Sequence, residues 1–183
     1  MTTFQNRAAT ALLVIDAQVG VLVNTVHRDE VVERIGVLVA KARAAGVPVV
    51  WVRHSSETLV EASDDWQITA ELSPAAGEAI VDKRFGDSFE DTTLGDHLAE
   101  LAVGHLVICG AQSDACVTAT LFGAFVRGYD LTLVSDAHST EDWSDYGLPA
   151  PEGVIALVNL TWQFQKAPGR LVTVVDTESL SFD

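Results

Sequence analysis

Apolar runs alternate with segments of helical period along nearly the whole chain. Residues 11–15 form a short apolar run that stops at Asp16, and Val31, Val32, Ile35, Leu38, Val39 and Ala42 then recur at helical spacing up to Gly46. Residues 47–52 are β-branched and apolar on both parities, the pattern of a parallel strand covered on two faces, with Pro48 tolerable near its start. A third strand is expected at 79–81, just before Asp82-Lys83. A helix carrying Leu94, Leu98, Leu101 and Ala102 follows the cap-like Asp91-Thr92-Thr93. The pattern continues with a strand at 106–109, a helix over 114–127 stopped by Gly128, a strand at 131–134, a helix near 151–164 and a strand at 171–175.

Strands that alternate with helices predict an α/β fold, because each crossover helix must cover one face of a mostly parallel sheet. The expectation is a three-layer α/β/α sandwich around six strands, organised as a single domain over 1–183. Residues 55–78 break the pattern. This stretch is acidic, contains Trp66, has weak periodicity and exceeds an ordinary connection, which marks it as a candidate active-site loop.

Composition narrows the function classes. The 183 residues are 48% hydrophobic and 20% charged, enough apolar content for a sizeable core without metal or disulfide staples. Lys plus Arg number 11 against 26 Asp plus Glu, a net charge of -15 that repels phosphate backbones and anionic lipid headgroups. Neither nucleic acid nor membrane is therefore an expected partner, and a small-molecule substrate is. No apolar run approaches the ~20 residues of a membrane span, and the first residues lack the features of a secretory signal, so the expected location is cytoplasmic. Two cysteines, Cys109 and Cys116, are too few for a disulfide framework and lack zinc-ribbon spacing.

In open parallel sheets ligands collect at the carboxyl ends of the strands. Asp16 and Lys83 stand at such ends, and Cys116 follows the fourth strand at the start of a helix, where the dipole and backbone N–H groups favour a thiolate and can bind an oxyanion. Taken singly, Cys116 reads as a small buried helix residue, Asp16 as a cap and Lys83 as a solvated loop cation. Together they point to acyl transfer. Cys109, inside an apolar strand, reads as core.

Four blocks carry a resemblance to a known family. Leu-Leu-Val-Ile-Asp-Ala-Gln (12–18), Val-Asp-Lys-Arg-Phe-Gly-Asp-Ser-Phe-Glu-Asp-Thr-Thr-Leu (81–94), Val-Ile-Cys-Gly-Ala-Gln-Ser-Asp-Ala-Cys-Val-Thr-Ala-Thr (107–120) and Ser-Asp-Ala-His-Ser-Thr (135–140) resemble the isochorismatase-like cysteine hydrolases in order and spacing. The resemblance implies a catalytic triad of Asp16, Lys83 and Cys116, a cis peptide between Ala111 and Gln112, and an oxyanion hole formed by the N–H groups of Gln112 and Cys116. It also implies a homo-oligomer. The chemistry expected is cysteine-dependent hydrolysis of a small amide, ureido or lactam C–N bond, with no cofactor. Isochorismate-type vinyl-ether hydrolysis proceeds without a nucleophilic cysteine, so Cys116 weighs against it. A non-catalytic binding module on the same fold is the alternative of a different class.

Nicotinamidases of this family share an Asp-x-His element after the second strand and a further downstream histidine. Here that place reads Arg53-His54-Ser55-Ser56, and no histidine follows until His97, so no metal site is expected. His54 admits a substrate or supporting role as readily as simple packing. His138 reads first as holding its loop, with substrate contact as the other role, and Trp66 as a loop anchor or a surface for substrate. Trp143 is open in the same way.

Overall fold

A computed structural model describes residues 2–182. The chain runs β1 (Ala9–Ile15), α1 (Val19–Leu22), α2 (Arg28–Ala44), β2 (Val49–His54), β3 (Ala79–Lys83), α3 (Leu94–Glu100), β4 (Val103–Ala111), a π-helical turn (Ser113–Val117), α4 (Thr118–Arg127), β5 (Asp130–Ser139), α5 (Pro151–Gln163) and β6 (Val172–Val175). The six strands lie in the order β3-β2-β1-β4-β5-β6 with every neighbouring pair parallel. The expected sandwich is the one observed.

The alternation of β1 explains the two cores. Ala11, Leu13 and Ile15 point to the face covered by α3, α4 and α5, where they meet Leu94, Leu98, Leu121, Phe125 and Trp162. Leu12 and Val14 point to the other face, against Val31, Ile35, Leu38 and Val39 of α2. All five of these β1 residues are buried, as a strand between two helical layers requires. No helix among the described residues is long and apolar enough to cross a membrane.

The direction in which successive strands are added reverses between β1 and β4: β2 and β3 build outward from one side of β1, and β4, β5 and β6 from the other. Such a switch point opens a crevice at the carboxyl ends of the two central strands. Gly110 permits their close approach. Its φ is +123°, and a Cβ there would overlap the Ile15 carbonyl oxygen.

Several boundaries differ from those read in the sequence, most at the site end of the sheet. β2 and β3 run on to His54 and Lys83, and β4 and β5 to Ala111 and Ser139. Helical structure over 114–127 begins as a π-helical turn, in which the Val117 N–H reaches the Gln112 carbonyl at 3.1 Å. Residues 55–78 form no helix or strand. They are tied to the segment after β1 through Val19 N–H to Gln67 O, Gly20 N–H to Asp65 O and Thr69 N–H to Ala17 O.

Candidate active site

Asp16 stands directly after β1 with a φ of +49°, and its backbone N–H donates to the Val52 carbonyl, fixing the side chain at the switch point. Lys83 ends β3, and its ammonium lies 2.7 Å from Asp16 Oδ2 with both side chains essentially inaccessible to solvent. The same ammonium is 3.1 Å from Cys116 Sγ, 3.2 Å from the Phe85 carbonyl oxygen and 3.3 Å from His54 Nδ1. Asp16, Lys83 and Cys116, which the chain holds far apart, thus meet around one buried cation. His54 meets them there.

Burial governs the electrostatics. It pushes the Asp16 carboxyl above the ordinary aspartate value, with Lys83 opposing the shift, and it pushes the Cys116 thiol up to about 12, with Asp16 adding to the rise. The resting thiol is therefore protonated. This differs from the thiolate expected of a helix start, because desolvation and the Asp16 charge outweigh the neighbouring ammonium. Cys109 is wholly buried, and burial raises its thiol further. Asp16 Oδ1 is buried with no hydrogen-bond partner, which leaves one carboxylate oxygen free to accept a proton.

Burial and the adjacent Lys83 lower the His54 pKa, so its imidazole is neutral at pH 7. An ammonium only donates, so Nδ1 accepts and the imidazole proton sits on Nε2. The Asp16, His54 and Cys116 ligand atoms lie within 4.8 Å of one another, a donor set of metal-binding type. Lys83 Nζ fills the space among them, so the cation they surround is the protein's own ammonium.

Gln18, which the sequence reading did not single out, clamps this end of the sheet. Fully buried, it donates through Nε2 to the carbonyls of His54 (2.9 Å) and Trp66 (2.8 Å) and accepts the His54 N–H at 2.7 Å. The signal was present in its place two residues after Asp16. Trp66 is buried beneath the Arg53 guanidinium, 3.6 Å above its ring, a packing that fits the reading of Trp66 as a loop anchor.

A second network fixes the turn that carries Cys116. Asn159 Nδ2 donates to the Ser135 carbonyl, which leaves its Oδ1 to accept from His138 Nε2 at 3.0 Å. His138 Nδ1 then accepts from the Ser113 hydroxyl at 2.7 Å. Both ring nitrogens are taken and His138 is buried, which fits its reading as the residue that holds this loop. The Ala111–Gln112 peptide is cis. Trp143 lies half-exposed against Tyr146, their ring centroids 5.6 Å apart.

Residues 10–147 match the isochorismatase domain. The chain belongs to the isochorismatase family. An isochorismatase from Pseudomonas putida superposes with a TM-score of 0.82 at 30% identity, over 93% of this chain and 89% of that one. The streptothricin hydrolase of Streptomyces noursei is 36% identical over 154 residues, 81% of this chain and 59% of that protein. The ureidoacrylate amidohydrolase RutB of Methylobacterium radiotolerans is 27% identical over 139 residues, 58% of this chain and 54% of that protein. This family member therefore spans between half and three-fifths of the length of these two curated relatives.

Proposed function

We propose that the protein is a cysteine-dependent hydrolase of a small-molecule C–N bond, an amide, ureido or lactam linkage, acting through a thioester on Cys116. The observation that carries this reading is the single ammonium of Lys83 held 2.7 Å from Asp16 and 3.1 Å from Cys116. Relatives named for streptothricin hydrolysis and ureidoacrylate amide hydrolysis support the bond class.

In the first half-reaction Asp16 Oδ1 takes the Cys116 proton as sulfur attacks the carbonyl carbon, and the carbonyl electron pair moves to oxygen. A carboxylate of raised proton affinity suits this task better than an ordinary one. Lys83 steadies the developing negative charge on sulfur. The N–H groups of Gln112 and Cys116 receive the oxyanion. As the intermediate collapses, the C–N bond breaks, Asp16 returns the proton to the departing amine or ammonia, and a thioester remains. Water then attacks the thioester, giving a proton to Asp16. The C–S bond breaks, the acid leaves, and the proton returns to sulfur. His54, half-buried beside Lys83, keeps the ammonium in place and offers its Nε2–H toward substrate.

The test is a panel of small amides, ureido acids and lactams assayed for ammonia or amine release, with mass spectrometry of quenched samples. A substrate that is turned over should leave an acyl adduct on Cys116, and Cys116→Ala should abolish both. Undiminished turnover by Cys116→Ala overturns the reading.

A further inference from the structure

The amino ends of four neighbouring strands carry a polar row on the face that α2 covers. Further along that face the same strands turn apolar, with Leu12, Val107, Val134 and Val175 two residues on from the row. Thr10 of β1 lies opposite His105 of β4, and Thr132 of β5 lies opposite Thr173 of β6. The His105 ring joins the two pairs. Its Nδ1 is 3.3 Å from the Thr10 hydroxyl and its Nε2 is 2.9 Å from the Thr132 hydroxyl, which lies 2.7 Å from that of Thr173. This row floors a cavity of about 560 Å³, within the size range of small-molecule sites. Pro48 bounds it where the chain leaves α2, and Leu180 and Phe182 form another wall. Lys41, in the last turn of α2, pins that wall by donating to the carbonyls of Thr177, Glu178 and Leu180 at 2.7, 3.2 and 2.9 Å. None of the described residues lining the cavity is Asp, Glu, Lys or Arg, in a chain of net charge -15. A row that served packing alone would be covered by side chains, whereas this one lines open volume.

We infer that this cavity is a second small-molecule site, at the opposite end of the sheet from Cys116, and that it takes an uncharged, elongated ligand with a hydrogen-bond donor at one end and an acceptor at the other. Burial lowers the His105 pKa, so the ring is neutral at pH 7 and carries a single N–H. With the proton on Nε2, the ring donates to Thr132 and Thr132 to Thr173, while Thr10 donates to Nδ1. The cavity then meets a free O–H at Thr173 and a free lone pair at Thr10. With the proton on Nδ1 every bond reverses, and the donor and acceptor exchange ends. In either state the row offers one of each, so a ligand that carries both is matched whichever way it lies. Three strand spacings separate β1 from β6, which sets the two end hydroxyls about 14 Å apart, and a hydrogen bond at each end leaves about 9 Å between the polar atoms of the ligand. The apolar walls suit a hydrocarbon or aromatic body between them. A charged ligand would lose water here without gaining a counter-charge. The site is independent of the proposed reaction.

The test is a heteronuclear NMR titration of the nitrogen-15-labelled full chain with 4-(4-hydroxyphenyl)butan-2-one. This probe is neutral, has a phenol donor and a ketone acceptor at its two ends, and contains no C–N bond to hydrolyse. It should bind saturably with a Kd of about 1 mM or tighter, shifting the amide signals of Thr10, His105, Thr132 and Thr173 and sparing those of Asp16 and Cys116. The anion 3-(4-hydroxyphenyl)propanoate and the cation tyramine, of similar shape, should bind about 10-fold more weakly or not at all. Thr10→Val and Thr173→Val keep side-chain shape and β-branching, and each should weaken the ketone about two- to tenfold by removing one end of the row. No saturable shift at the row, or ketone affinity unchanged in both variants, overturns the site. Equal affinity for the ketone and either charged analogue overturns the uncharged ligand class.

Discussion

Burial acts on Asp16 and Cys116 in the same direction, holding protons on both, and Lys83 works against it at each. The balance makes Asp16 a carboxylate that must be ionised to work yet takes up a proton more readily than usual. As pH falls through its raised pKa the base is lost, so kcat/KM should decline on an acid limb that lies above the ordinary aspartate value of 3.8. The stability sign is opposite to that of a surface ion pair: the unfolded chain gives up the Asp16 proton at lower pH than the folded one, so this group's contribution to stability falls as pH rises between the two values. Asp16→Asn keeps the shape and the left-handed backbone but removes the base and strands the buried Lys83 without a counter-charge. It should lower kcat by ~10² to 10⁴-fold and cost about 3 kcal/mol or more of stability in urea unfolding. Near-wild-type turnover by the folded variant would remove Asp16 from the mechanism. Identity of these residues was legible in the sequence, since each sits where a strand ends or a helix begins. Their protonation was not, because desolvation depends on the chain segments that close over them.

At the scale of elements, β5 shows what a period cannot reveal. Its register against β4 steps from Leu133 opposite Ile108 to His138 opposite Gly110, so the intervening residues of β5 are looped out of the ladder. That irregularity swings His138 under the Ser113 turn. The apolar run at 131–134 announces the strand but not its continuation, whose residues apart from the buried Ala137 are polar, and which rejoins β4 at His138 and Ser139. Likewise the π-helical turn depends on a Gln112 carbonyl shared by the Ala115 and Val117 N–H groups, for which no local propensity codes. The relay Asn159–His138–Ser113 has a fixed polarity, each donor finding an acceptor, and it ties the turn that carries Cys116 to α5. His138→Ala should cut this support. If the turn shifts by about 1 Å, kcat falls by as much as ~10²-fold while KM changes little. His138→Gln, which can present both an acceptor and a donor, should recover part of the loss. Equal kcat for wild type and His138→Ala would show that the turn holds itself.

Over the whole molecule, alternation of strand and helix was enough to foresee the sheet and its layers, because covering both faces of a parallel sheet leaves few arrangements. The long connection at 55–78 was legible as an exception, but its docking was not, since Gln18 and backbone bonds rather than periodic apolar residues hold it over β1. The same assembly brings β1, β2, β3 and the turn after β4 to one point, and there it collects carboxylate, imidazole, thiol and ammonium. Three of those four groups are metal ligands by type, and the fourth decides their use. Lys83 reaches the centre of the set from the end of an interior-facing strand position, with 2.7 Å to Asp16, 3.1 Å to Cys116 and 3.3 Å to His54. A divalent ion at that point would have to expel a buried ammonium and give up its pairing with Asp16, at a cost of several kcal/mol. Turnover should therefore be unchanged after exhaustive dialysis against EDTA, and added zinc should not raise it. Loss of activity on chelation with recovery on adding zinc or iron would mean that the ammonium yields its place to a metal in the working enzyme, and the roles of Asp16 and His54 would have to be assigned again.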